Sequence, residues 1–229
     1  GDAFIVQTDY YGRATLRRYG FEDERIVTYP HVIGVGSIAL RERVSVGDPL
    51  RLVTVARLVE KKGLDVGIRA VDAFRRANPG RRIDYRIIGD GPLADELGVL
   101  IKSLGAETSI HLMGAMATPD VLRCLAESDI FLLPSLMEQA GYVLLEGQAT
   151  GIPILATKVG GVPEMVREGR SAVLVPAGDA TAITAGLQEL VDHPERWPAM
   201  GREGREHVES RHDLDRLKPR LAEILGGGT

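Results

Sequence analysis

Two glutamates with seven residues between them, Glu138 and Glu146 in the run Glu138-Gln139-Ala140-Gly141-Tyr142-Val143-Leu144-Leu145-Glu146, are the strongest chemical signal in the chain. Gly141 marks a loop-to-helix junction, so Glu138 is expected in the loop and Glu146 about one turn into the helix. Glycine lets a backbone approach a ligand closely, and the free N–H groups of a first helical turn attract an anion. Together they would cradle a diphosphate, with carboxylates beside it for sugar hydroxyls. Taken alone, the pair also suits a surface glutamate favouring a helix start and a second one paired on the helix face. The flanks favour chemistry: Phe131-Leu132-Leu133-Pro134-Ser135 reads as a buried strand before the pair and Thr150-Gly151-Ile152-Pro153-Ile154 as another after it.

A second signal is Val55-Ala56-Arg57-Leu58-Val59-Glu60-Lys61-Lys62-Gly63-Leu64-Asp65, which sets cations where a strand ends and a helix begins. Lys61 and Lys62 at a helix N-terminus oppose the macrodipole at a cost of a few tenths of a kcal/mol, a conflict that a bound phosphate removes. Solvated lysines at a loop tip are the plain alternative. Asp90, between Gly89 and Gly91, reads as a tight turn. Gly160-Gly161 reads as a turn needing positive φ, with Glu164 starting the next helix. His31, His111, His193, His207 and His212 fit no zinc spacing, although His207 and His212 are close, and they read as solvated or edge histidines. No metal site is expected.

Positioning these residues requires strands that end near them. From Leu50 onward, apolar runs of strand length alternate with amphipathic stretches, the pattern of an α/β doubly wound parallel sheet. Strands are expected at 50–56, 84–88, 109–113, 130–133, 152–156 and 172–175. Helices are expected at 62–76, 93–104, from the cap Thr118-Pro119-Asp120, within 138–151, and at 179–192, 195–209 and 213–225. In such sheets ligands bind beyond the carboxyl ends of the strands, near the topological switch point. The first residues read as a strand at 3–7, a helix at 11–19 and a strand at 25–29, too little for a domain. Residues 1–45 are therefore expected to be the remnant of a preceding acceptor-side domain plus linker, and residues 46–229 a Rossmann-like domain with terminal helices, the Gly226-Gly227-Gly228 tail being frayed.

Composition excludes several classes. The net charge of -4 arises from 28 basic and 32 acidic residues spread along the chain, leaving no electrostatic footprint for nucleic acid. The only cysteine, Cys124, lies in a helical pattern and rules out an internal disulfide framework, which suits the cytoplasm. No apolar run approaches the ~20 residues of a bilayer crossing, and the first residues lack signal-peptide character. Peripheral attachment to a membrane stays open.

The run from Val55 to Asp65, the loop Gly89-Asp90-Gly91-Pro92, the spaced Glu138 and Glu146, and Gly160-Gly161-Val162-Pro163-Glu164 occur in one order. In that order and spacing the chain resembles the carboxyl-terminal, nucleotide-sugar-binding domain of retaining GT-B glycosyltransferases of family 4, glycosyl transferases group 1. The likeness is close over roughly residues 50–190. Three departures stand out: Ala140 where an aromatic is usual, Gly147 where alanine is usual, and a blurred Asn-Gly-Val-Asp-like linker at 31–36. By the resemblance, the acceptor-side domain, with its Gly-rich loop and histidine, is expected to be represented in these residues only by the remnant at 1–45.

The resemblance implies that Arg57 and Lys62 contact the donor diphosphate and that Glu146 binds the ribose hydroxyls. Glu138 would hold the transferred sugar at the catalytic centre. By the same resemblance, Gly141 and the N–H groups of Tyr142, Val143 and Leu144 would meet sugar and phosphate, and Gly114-Ala115-Met116 the base. It further implies a donor linked to UDP or GDP, no cofactor, an acceptor sugar or lipid-linked glycan, and a role in polysaccharide, lipopolysaccharide or glycolipid synthesis. The cations and the helix N-terminus would replace a metal in stabilising the leaving phosphate. The product would keep the donor's anomeric configuration, through same-face attack or, in a second reading, a double displacement with Glu138 as nucleophile. A nucleotide-sugar-binding module without turnover and a GT-B sugar-nucleotide epimerase or phosphorylase are the alternatives. Without its acceptor domain the chain would bind donor but not transfer sugar.

Overall fold

The computed structural model describes residues 4–41 and 46–226. The start of the expected first strand at Ala3, part of the expected linker at 42–45, and the Gly227-Gly228 tail lie outside the described residues. A two-stranded parallel sheet comes first, with β1 (Phe4–Val6) and β2 (Ile26–Thr28) joined through α1 (Ala14–Arg18). The expected helix at 11–19 is shorter than its pattern, because a wide turn over Asp9–Arg13 precedes it.

The main sheet follows: β3 (Leu50–Val55), β4 (Ile83–Ile88), β5 (Ile110–Gly114), β6 (Ile130–Leu133), β7 (Ile154–Thr157) and β8 (Ala172–Val175). Between and after them run α2 (Leu64–Ala77), α3 (Ala94–Ser103), α4 (Thr118–Glu127), α5 (Tyr142–Thr150), the short α6 (Val162–Met165), α7 (Ala180–Asp192), α8 (Trp197–Arg211) and α9 (Leu214–Gly226). All pairings are parallel in the order β5-β4-β3-β6-β7-β8. The strands are apolar runs rather than alternating ones because both faces are covered. In β6, Ile130 and Leu132 join the core under α2, α3 and α7, while Phe131 and Leu133 join the core under α4, α5 and α8. Gly147 belongs to the second core: a Cβ there would lie 3.3 Å from the Phe131 ring, so glycine lets α5 settle closely on β6.

Strand β3 has β4 on one side and β6 on the other, so the chain leaves it in opposite directions and a crevice opens beyond the ends of β3 and β6. The loops after these strands meet there. Leu136 N–H and Met137 N–H both donate to Lys61 O, at 2.8 and 3.0 Å. Lys61 and Lys62 do not begin a helix as expected. They close a tight turn, Glu60–Lys62, which Gly63 separates from α2. Gly63 has φ 57°, and a Cβ there would lie 2.3 Å from Pro134 O, so the close approach of the two loops forces the break.

The loop after β7 presses on the same place. Gly160 has φ 51°, and a Cβ on it would lie 1.7 Å from Glu138 O. Gly161, expected to share the positive φ, has φ −85° and instead donates its N–H to Glu138 O at 3.2 Å.

The terminal helices return to the first segment. Ile33 N–H donates to His212 O and Leu214 N–H to Ile33 O, each at 2.9 Å. Arg205 donates to Val35 O, Ile38 O and Ala149 O, tying residues 35–38 to the end of α5. His207 and His212 are buried here rather than solvated, with ring centroids 5.4 Å apart, because α8 and α9 close over residues 31–33.

Two predictions follow from this packing. Gly160→Ala should lower stability by about 1–3 kcal/mol in urea titration, because no alanine fits that contact without moving the Glu138 backbone. The second concerns His207, whose pKa is lowered to about 4, first by burial and then by His212, Arg167 and Arg211. Its folded value is depressed, so below pH ~6.5 the unfolded chain binds a proton that the native chain refuses. Stability should therefore rise with pH between about 4 and 6.5. His207→Phe should flatten that part of the profile in pH-dependent thermal melts.

Candidate functional site

The loops at the carboxyl ends of β3, β6 and β7 meet at the crevice, and the loop after β4 braces the one after β3. Lys62 and Glu138, 76 residues apart in sequence, form a direct ion pair across it. The pair is largely enclosed, with side-chain exposures of 16% and 11%. Arg57 lies on the same β3 loop, exposed and without a side-chain partner among the described residues. Its loop is braced from the next strand, since Leu58 N–H donates to Asp90 O at 2.9 Å. Asp90 also accepts from Gly91 N–H at 2.7 Å, which is the turn role read from its neighbours.

Helix α5 begins directly after the β6 loop that carries Glu138, with Gly141 as its N-terminal flanking residue and no side chain capping it. The N–H groups of Tyr142 and Val143 have no protein acceptor among the described residues. Leu144 differs from expectation, because its N–H donates to Gly141 O at 2.8 Å in a tightened first turn. Gly141 has φ −77°, so its value lies in space rather than in a left-handed conformation: a Cβ would lie 3.2 Å from the Leu144 side chain.

Glu138 lies in the loop and Glu146 one turn into α5. Glu146 is half-buried and makes no hydrogen bond or ion pair among the described residues, and burial raises its carboxyl above the usual range. Met116, beyond the end of β5, is partly buried against the core under α4 and α5. The fold therefore brings Lys62 into contact with Glu138, sets the start of α5 immediately behind them, and leaves Met116 on the separate β5 loop.

His31, which the sequence did not single out for this site, also borders it. The Tyr142 hydroxyl donates to Val32 O at 2.7 Å, and its ring meets His31 edge-on at 5.6 Å between centroids. Burial lowers the His31 pKa, and the Glu138 carboxylate opposes that shift. A cavity of about 380 Å³ lies between the first segment and the Glu138 loop, walled by Thr8, Tyr11, Gly12, His31, Lys61 and Glu138. Only the packing of the first segment on the main sheet makes these residues neighbours. A larger concavity, of about 1120 Å³, lies around the starts of β4 and β5, away from the strand ends. Most of its arginines are paired, Arg75 and Arg76 with Asp72, Arg82 with Asp48 and Arg86 with Asp84.

Among the described residues, no group of three or more histidine, cysteine, aspartate or glutamate side chains could hold a metal ion. No helix there is long and apolar enough to cross a membrane.

Comparison with known proteins places the chain in a family. AmsK, an amylovoran biosynthesis glycosyltransferase of Erwinia amylovora, is 35% identical over 192 residues, covering 81% of the chain and 47% of AmsK. A GDP-mannose-dependent alpha-(1-6)-phosphatidylinositol monomannoside mannosyltransferase of Mycolicibacterium smegmatis is 32% identical over 195 residues, covering 82% of the chain and 50% of that protein. The chain thus spans about half the length of these relatives. Among solved structures, HepE of Anabaena in complex with UDP and glucose superposes with a TM-score of 0.85 at 17% identity, over 99% of this chain and 64% of HepE. That likeness confirms the α/β, Rossmann-like parallel-sheet fold of GT-B glycosyltransferases. The model of the glycosyl transferases group 1 family matches residues 39–207, and the chain belongs to that family.

Proposed function

We propose that this chain is the donor-binding part of a glycosyltransferase that moves a sugar from a nucleoside-diphosphate sugar, linked to UDP or GDP, to an acceptor sugar or lipid-linked glycan with retention of configuration. The observation that carries this reading is the Lys62–Glu138 pair at the switch point, set against the uncapped start of α5. Cation, backbone donors and carboxylate converge where a diphosphate and the hydroxyls of its sugar can be held together.

In this reading Arg57, Lys62 and the N–H groups of Tyr142 and Val143 hold the diphosphate, Gly141 keeps the approach open, and Leu144 packs beneath. Glu146 binds the ribose hydroxyls, the 114–116 loop with Met116 meets the base, and Glu138 holds the transferred sugar. Breaking the bond to the leaving phosphate develops negative charge on it, which the fixed cations and the helix N-terminus stabilise by several kcal/mol without a metal or other cofactor. Family-four membership and same-face attack guided by the leaving phosphate complete the proposal. The named relatives are an amylovoran biosynthesis glycosyltransferase and a phosphatidylinositol monomannoside mannosyltransferase, which supports a role in polysaccharide, lipopolysaccharide or glycolipid assembly; a cytoplasmic place, peripheral at a membrane, is part of the proposal.

Calorimetric titration with UDP, GDP and the parent nucleosides tests the site. Arg57→Ala should weaken diphosphate binding by about tenfold or more, on the scale of one charge-assisted hydrogen bond, while leaving nucleoside binding nearly unchanged. Equal losses for both ligands would show that Arg57 is not a phosphate ligand.

In a protein that also carries an acceptor-side domain, transfer should survive exhaustive chelation, because cations already stand where a metal would neutralise the leaving group. Loss of turnover restored by magnesium or manganese would refute metal independence.

A further inference from the structure

We propose that the Lys62–Glu138 ion pair is a latch that makes this site prefer an intact nucleotide sugar over the bare nucleoside diphosphate and helps expel the diphosphate after transfer. The inference rests on the donor-site reading above.

The two roles assigned to these residues compete. In the structure Lys62 Nζ is bound to Glu138 Oε2, so the cation meant for a diphosphate is already neutralised by a carboxylate. The pair is held from both sides. Lys61 O accepts two N–H groups from the Glu138 loop, and Gly160 and Gly161 press on Glu138 O from the β7 loop. Neither side chain can leave the crevice cheaply, and 16% and 11% exposure leaves little water to replace a lost partner.

A diphosphate that recruits Lys62 must share or break this pair, and it sets a mostly enclosed carboxylate beside another anion. A nucleotide sugar draws on the same cation but supplies hydroxyl donors to Glu138, so the carboxylate regains in the sugar what it gives up in Lys62. Once the sugar has moved to the acceptor, those donors are gone and Glu138 draws Lys62 back from the diphosphate. The attraction that closes the empty site thus opposes retention of the product.

The experiment is calorimetric titration of UDP, GDP, UDP-glucose and GDP-mannose into the 229-residue chain and its Glu138→Gln, Lys62→Met and double variants. The glutamine keeps the shape and removes the charge. Glu138→Gln should bind the better of the two nucleoside diphosphates about tenfold more tightly than the parent chain, while its preference for the matching nucleotide sugar shrinks. Lys62→Met should weaken the diphosphate, and in that background Glu138→Gln should bring no gain. Glu138→Asp, one methylene shorter, provides a second variant that keeps the charge and loosens the pair, with an intermediate gain expected. Circular dichroism melts establish that each variant is folded. Unchanged or weaker diphosphate binding by folded Glu138→Gln and Glu138→Asp, with the parent chain binding normally, would overturn the latch and leave the donor site standing. Absence of binding of all four nucleotides by every form would overturn the donor site and the latch with it.

Discussion

The carbonyl of Lys61 accepts two backbone donors from the loop after β6, and the arrangement of the site depends on that junction. It is possible because β3 and β6 are neighbours in the sheet although their paired residues, Leu52 with Ile130 and Val53 with Phe131, lie 78 positions apart in the chain. The order β5-β4-β3-β6-β7-β8 sends the crossover helices to opposite faces on either side of β3, so no helix covers the strand ends there. Loops fill the gap, and a left-handed Gly63 is the condition for their contact, since any Cβ would strike Pro134 O.

Electrostatics then follows from geometry. An ion pair in water contributes little, but this one is mostly withdrawn from water, and removing one partner of such a pair typically costs several kcal/mol. Around it stand groups biased by the same enclosure. Glu146 has its carboxyl raised by burial, and His31 has its imidazole lowered by burial against the opposing pull of Glu138. A crevice with an uncapped helix start, an exposed Arg57 and partly dehydrated carboxylates is poised to exchange internal partners for those of a polar, anionic ligand.

The first segment is part of that arrangement. Residues 29–38 are bound to α8 and α9 through Ile33, His212, Leu214 and Arg205, and to α5 through the Tyr142 hydroxyl on Val32 O. Glu164 in α6 accepts from Tyr11 N–H at 3.0 Å. The cavity beside Glu138 consequently has one wall from the strand-helix-strand segment and one from the main sheet.

The sequence alone determined the α/β class, all six strands of the main sheet to within two residues at each end, and the place of Glu138 and Glu146 around a helix start. Those features are written locally: apolar runs define buried strands, and proline and glycine punctuate the helices. It also placed both chemical runs after strands, because their neighbours in the chain carry that information. It could not show that Lys62 and Glu138 touch, that the two lysines close a turn rather than begin a helix, that Gly160 presses on Glu138 O, or that His207 and His212 are buried. Each of these depends on which strand lies beside which and on how α8 and α9 return to residues 28–33. Contacts between residues far apart in the chain are set by packing and sheet order, and a local pattern of residue types carries no record of its distant partner.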